Sequence, residues 1–138
     1  MTLYLDTSDL VKLFVAEPGS ALVRETLEAA VAAATSRVAW VEVCAALARK
    51  RRDGTLTSRN HAAALAAFRR QWGRFLVMEV SPEVAELAGE LSDRHGLRGY
   101  DAIHLASARI LAEHLKAPVR FLTADVSLKS AADAEGLG

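Results

Sequence analysis

The chain has 138 residues, 51% hydrophobic and 25% charged, which fits one domain over residues 1–138 with a proper core and excludes a disordered chain. Its 17 basic and 17 acidic side chains cancel, so net charge neither supports nor excludes nucleic acid as a partner. Cys44 is the only cysteine; an intrachain disulfide is excluded, and a reducing cytoplasm fits best.

The first residues enter a strand-like run with no basic lead, so no signal peptide is expected. Charged residues interrupt every apolar run before it could cross a bilayer. A soluble cytoplasmic protein with no membrane partner is the expectation.

Thr2 to Leu5 reads as a strand that ends on Asp6. Ser8 or Asp9 can cap the helix that follows, which should stop near Glu17-Pro18-Gly19. Gly19 and Ser20 then open a helix over Ala21 to Ala33, with Leu22, Val23, Leu27 and Val31 as its apolar stripe. Ala34-Thr35-Ser36 is a short second strand. Val38 to Arg52 reads as a long helix ended by Asp53-Gly54. Thr57 or Ser58 caps the next, which carries Leu65, Phe68 and Trp72 on one face until Gly73.

Phe75 to Val80 is the third strand. Ser81-Pro82 starts a helix with serine at the cap and proline in the first turn. Val84, Leu87, Ala88 and Leu91 mark its buried face, and Gly96 lies past its end. Tyr100 to Leu115 is strongly helical. Val119 to Leu122 is the last strand, ending at Thr123-Ala124-Asp125, and Val126 to Glu135 is a last short helix. Strands alternating with helices predict an α/β fold with a parallel sheet covered on both faces. Ligands of such sheets sit at the carboxyl ends of the strands.

Two acids, Asp6 and Asp125, stand at that kind of position. Either alone reads equally well as a helix cap. As a pair they would lie on one edge of one sheet. Glu42 is embedded among Val38, Ala39, Val41, Val43, Ala45 and Ala46, where a carboxylate is costly to bury unless it meets a cation. That cation could be a metal, or Arg37 or another arginine in a structural ion pair. Asp101 opens a helix, where the helix dipole favours an acid whatever its function. His104 could reach the same face as Asp101 but reads as a packed or surface histidine, outside the site. Clustered carboxylates without Cys or His spacing favour Mg²⁺ or Mn²⁺. The chemistry that follows is metal-assisted phosphodiester hydrolysis.

The runs Tyr4-Leu5-Asp6-Thr7-Ser8, Val41-Glu42-Val43, Gly99-Tyr100-Asp101-Ala102-Ile103-His104-Leu105-Ala106 and Phe121-Leu122-Thr123-Ala124-Asp125 resemble the PIN-domain family, within it the VapC-like toxins of toxin–antitoxin pairs. Leu10-Val11-Lys12 and the tail Ala131-Ala132 with Glu135-Gly136-Leu137 also look like the family. The resemblance implies a three-layer α/β/α fold with a central parallel sheet of four to five strands. It implies a Mg²⁺- or Mn²⁺-dependent ribonuclease with Asp6, Glu42, Asp101 and Asp125 as its acidic cluster and Thr123 supporting them. It also implies a cognate antitoxin, a homodimer, and larger complexes with the antitoxin. Family members commonly continue into a final short edge strand, whereas the sequence here stops at Gly138; either the chain is trimmed there or that strand is missing.

Basic residues near these acids are candidates for RNA contact. Lys12 lies one to two turns after Asp6, and Arg49 lies two turns beyond Glu42 on nearly the same face. Arg49-Lys50-Arg51-Arg52 equally suits the negative end of its helix. Arg69, Arg70 and Arg74 form a second basic group, to be read as RNA contact or as solvated surface. Two other functions stay open: a catalytically silent domain whose acidic groove binds a basic partner segment, and an aspartyl phosphotransfer domain. The second lacks the further aspartate after Asp6 that one such family uses, and gives Glu42 no role.

Overall fold

The structure, a computed structural model, describes residues Met1–Gly138. Its elements are β1 (Thr2–Leu5), α1 (Thr7–Val11), α2 (Ser20–Ala29), β2 (Ala32–Ser36), α3 (Val38–Arg52), α4 (Ser58–Trp72), β3 (Leu76–Met78), α5 (Pro82–His95), α6 (Gly99–Leu115), β4 (Val119–Leu122) and α7 (Val126–Ala134). The four strands pair in parallel in the order β3-β2-β1-β4, so β1 is interior.

Side chains alternate across a strand, and β1 uses both directions. Tyr4 joins a core with Val84, Leu91, Leu105, Phe121 and Leu128, from α5, α6, β4 and α7. Leu3 and Leu5 join the opposite core, with Leu10, Val43, Leu47 and Phe68 from α1, α3 and α4. This is why β1 is apolar throughout: both faces of a parallel sheet are covered. The architecture is the expected three-layer α/β/α arrangement, with four strands.

Several boundaries differ from the sequence reading. Helix α1 is capped by Asp6 itself, whose Oδ1 accepts from the Asp9 amide at 3.1 Å. It does not run on to Glu17. Beyond Val11 the chain makes tight turns in which Leu13 and Phe14 amides bond to carbonyls three residues back. These turns bring Phe14 against Phe68, with ring centroids 5.4 Å apart. Helix α2 stops at Ala29, and β2 begins at Ala32 because Ala32 pairs with Thr2. Alanine fits helix or strand, and here sheet pairing decides. Leu22 and Val31, expected in a buried stripe, are exposed. Strand β3 is shorter than Phe75–Val80, since its pairing with β2 ends where Ser36 meets Met78.

The residues after α7 meet the outer edge of β4. The Phe121 amide of β4 donates to the Leu137 carbonyl at 2.9 Å, and the Leu137 side chain is buried. No helix is long and apolar enough to cross a membrane.

Candidate active site

Strand β1 delivers Asp6 to the carboxyl edge of the sheet, where its side chain is only 4% exposed. Every acceptor position it uses has a named donor. Ser8 Oγ donates to Oδ1 at 2.7 Å, the Asp9 amide donates to the same oxygen at 3.1 Å, and Thr123 Oγ1 donates to Oδ2 at 2.6 Å. Asp6 is therefore both a helix cap and a fixed carboxylate facing the cleft. Strand β4 ends beside it. Asp125 caps α7 through Oδ1, which accepts from the Leu128 amide at 2.9 Å, while its own amide donates to Thr123 Oγ1 at 3.1 Å. Thr123 thus links the two strand ends.

Glu42 stands one turn into α3, held by groups from two other elements. Thr7 Oγ1 donates to its Oε1 at 2.6 Å, and His104 Nε2 lies 3.1 Å from the same oxygen. The cation weighed for it in the sequence, Arg37, pairs instead with Glu79 through two bonds of 2.9 and 2.8 Å. Burial pushes the Glu42 carboxyl up, but the hydrogen bonds from His104 and Thr7 outweigh it and hold it below the ordinary glutamate value.

His104, left outside the site by the sequence reading, belongs beside it. The side chain is buried, and Nδ1 lies 2.8 Å from the Tyr4 hydroxyl. A carboxylate can only accept, so Nε2 carries the proton that faces Glu42. In the neutral ring Nδ1 then accepts from Tyr4, whose phenol burial pushes well above its ordinary value and keeps protonated. The available signal was spacing: His104 follows Asp101 by one helical turn within an otherwise apolar run.

Asp6, Glu42, Asp101 and Asp125 line one cleft of about 490 Å³, with Lys12, Arg49 and Arg98 also on its wall. Burial pushes the Asp101 carboxyl up; Asp125 and Asp6 add to the rise, and Arg98 offsets part of it. The acids therefore feel one another across the cleft. Lys12 does not hang in solvent: its ammonium is 3.1 Å from Asp9 Oδ1, which leaves it less free for RNA than the sequence suggested. Arg49 is exposed on the wall. Arg69, Arg70 and Arg74 are not among the cleft residues.

The donor set consists of carboxylate oxygens with one neighbouring imidazole, which suits a hard divalent cation in kind. Net negative charge converging on Asp101 is the feature a cation would relieve. As they stand, no three His, Cys, Asp or Glu side chains are grouped closely enough to hold an ion.

The profile of the family described as PIN domain matches residues 3–134. The chain belongs to the PIN-domain family. Ribonuclease VapC49 of Mycobacterium tuberculosis is 41% identical to it over 105 residues, which are 76% of this chain and 73% of that protein. Among solved structures, VapC20 of M. tuberculosis, described as a sarcin–ricin loop cleaving toxin, matches with a TM-score of 0.67 and 20% identity over 94% of each chain. A toxin–antitoxin complex from Klebsiella pneumoniae matches with a TM-score of 0.60 and 22% identity, over 85% of this chain and 82% of that one. At these identities the two structures speak for the fold of this PIN domain. The placement among VapC proteins rests on the sequence relatives.

Proposed function

We propose that this PIN domain is a Mg²⁺- or Mn²⁺-dependent endoribonuclease, the toxin of a toxin–antitoxin pair. The observation that carries the reading is the gathering of Asp6 and Asp125, which follow β1 and β4, with Glu42 of α3 and Asp101 of α6 onto one cleft. The similarity to proteins named ribonuclease supports RNA as the substrate. The likeness to a chain from a toxin–antitoxin complex supports an antitoxin as the partner. A homodimer and larger antitoxin-bound complexes complete the proposal.

Asp6, Asp101 and Asp125 would hold the divalent ion, with Glu42 as a further ligand or through water. Bound there, a divalent ion would supply Lewis-acid chemistry: a more acidic water and charge neutralisation on the phosphate. Thr123 and Ser8 fix the direction of the Asp6 oxygens. Thr7 and His104 keep Glu42 ionised and aimed into the cleft, where it can take a proton from water. Arg49 and Arg98, on the wall of the cleft, would position the phosphates flanking the one that is cut.

The test is direct. Purified protein, freed of bound antitoxin, is incubated with structured RNA in Mn²⁺ or in EDTA. Cleavage is expected with Mn²⁺ only. Cleavage that persists in EDTA, or that survives Asp101→Asn, would remove the metal-nuclease mechanism.

A further inference from the structure

Seven of the eight aromatic side chains in this protein are buried or half-buried; Tyr100 is the exception. Its side chain is 61% exposed. Aliphatic side chains such as Leu22 and Val31 are as exposed; what sets Tyr100 apart is its flat ring and its location. Tyr100 immediately precedes Asp101 in the first turn of α6. With Arg98, Gly99 and Ile103 it lines a hollow of about 450 Å³. The same hollow is walled by Glu42 and Asp101, so it opens off the acidic cleft.

We infer that this hollow is a nucleotide subsite, in which the Tyr100 ring stacks on a base next to the scissile phosphate and Arg98 holds that nucleotide's phosphate. The inference rests on the ribonuclease reading and extends it to how the substrate is gripped. Each part has a physical reason. A base presents a flat π-face that an exposed phenol ring can cover, whatever the base. The Arg98 side chain is 86% exposed, and its Nε is 3.5 Å from Asp101 Oδ2. A pair that long and that wet contributes little, so the guanidinium can turn to a phosphate at small cost. Glu42, Asp101 and Arg98 line both the hollow and the cleft, whereas Tyr100 lines the hollow alone. That arrangement fits an RNA chain whose phosphate lies in the cleft within reach of Arg98 and whose adjoining base lies over Tyr100.

The experiment measures binding and cleavage side by side. Binding is followed by fluorescence anisotropy in EDTA, with a labelled 12-nucleotide single-stranded RNA of randomised sequence. Cleavage is followed on structured RNA in Mn²⁺. Tyr100→Ala should weaken binding by about 5- to 150-fold, the range for losing one base–aromatic stack, and raise KM more than it lowers kcat. Tyr100→Phe should restore both. Arg98→Ala should flatten the salt dependence of binding by about one phosphate contact. Wild-type affinity in Tyr100→Ala overturns the subsite, as does a loss of affinity that Tyr100→Phe fails to restore. A Tyr100→Ala protein that changes only its sedimentation behaviour also overturns it, because the ring then covers a second copy of the chain. If wild-type protein neither binds nor cuts RNA, the ribonuclease reading fails with it. If the wild type cuts and Tyr100→Ala cuts equally well, only the subsite fails.

Discussion

Thr123 Oγ1 donates a 2.6 Å hydrogen bond to Oδ2 of Asp6, joining residues 117 positions apart in the chain. The same hydroxyl oxygen accepts from the Asp125 amide at 3.1 Å. One side chain at the end of β4 therefore sets the direction of a carboxylate at the end of β1 and steadies the residue that caps α7. Thr123→Val keeps the shape and removes both bonds. Outer groups that orient a metal ligand typically account for about 10- to 100-fold in metal affinity or activity. Thr123→Val should lose that much in Mn²⁺-dependent RNA cleavage, and Thr123→Ser should recover most of it. Equal rates for Thr123→Val and wild type would mean that Asp6 needs no such support.

Asp101 gives a cleaner test of the acidic cluster than Asp6 does. Asp6 accepts from three donors, and Asn in its place would leave some of them unpaired. Asp101 has only the long contact with Arg98. Burial raises its carboxyl, and Asp125 and Asp6 raise it further. A carboxyl that is harder to ionise in the folded state destabilises the fold as pH rises past its ordinary value. Asp101→Asn should therefore raise Tm at pH 7 by a few degrees while lowering cleavage about 100-fold or more. Mn²⁺ should raise the Tm of the wild type, and this increment should shrink in Asp101→Asn. Calorimetric titration of wild type with Mn²⁺ should also give weaker binding at pH 5 than at pH 7, since Asp101 takes up its proton above the usual range. A Tm that falls in Asp101→Asn would contradict the repulsion argument.

His104 connects the core to the cleft. It touches Tyr4 on one nitrogen and Glu42 on the other. Tyr4→Phe removes the hydroxyl and leaves Nδ1 buried without a partner, which costs about 1–3 kcal/mol. Urea unfolding should show that loss, with cleavage reduced less than in Asp101→Asn. His104→Ala acts on the other end. Glu42 is now held below its ordinary value against the effect of burial. Its contribution to stability is present above the ordinary glutamate value and is lost as pH falls through the lowered one. Without the imidazole the Glu42 midpoint should rise, as read by NMR titration of its labelled carboxyl carbon. An unmoved midpoint would mean that Thr7 alone sets it.

Much of this arrangement was legible in the sequence, and the reasons differ by residue. Asp6 and Asp125 stand at strand ends, where topology alone brings them to one edge. Asp101 and Glu42 were marked by an acidic helix start and by an apolar setting. Ser81 with Pro82 and Gly96 bracket α5 as their capping chemistry requires, with Gly96 at φ 64 in the left-handed region. What escaped was set by long-range pairing. Ala32 and Ala33 carry no preference strong enough to resist pairing with β1. His104 has an identity that fits surface, core or site equally, and only its contacts with Tyr4 and Glu42 decide. Arg37 had its partner, Glu79, 42 residues away on a segment whose position no local pattern reveals.

The far end of α7 carries the last prediction. Glu135 accepts from Arg94 at 2.9 Å, His95 at 2.8 Å and Arg109 at 2.6 Å, and its side chain is 7% exposed. Burial pushes this carboxyl up, but the bonds from His95, Arg94 and Arg109 prevail and hold it at about 2. The folded value is depressed, so the stabilisation is fully present above the ordinary glutamate value of 4.5 and is lost as pH falls from there to about 2. A displacement of this size corresponds to roughly 3 kcal/mol for the ionised, fully paired state; the exposure of Arg94 lowers what is realised. Glu135→Gln should therefore lower stability at pH 7 by about 1–3 kcal/mol and flatten the acid limb of the pH–stability curve. Because Asp125 caps the start of α7 and Glu135 ties its other end to α5 and α6, hydrogen exchange of α7 amides should speed up in the variant. Equal acid limbs in Glu135→Gln and wild type would show that Arg94, His95 and Arg109 hold one another's surroundings without needing the carboxylate.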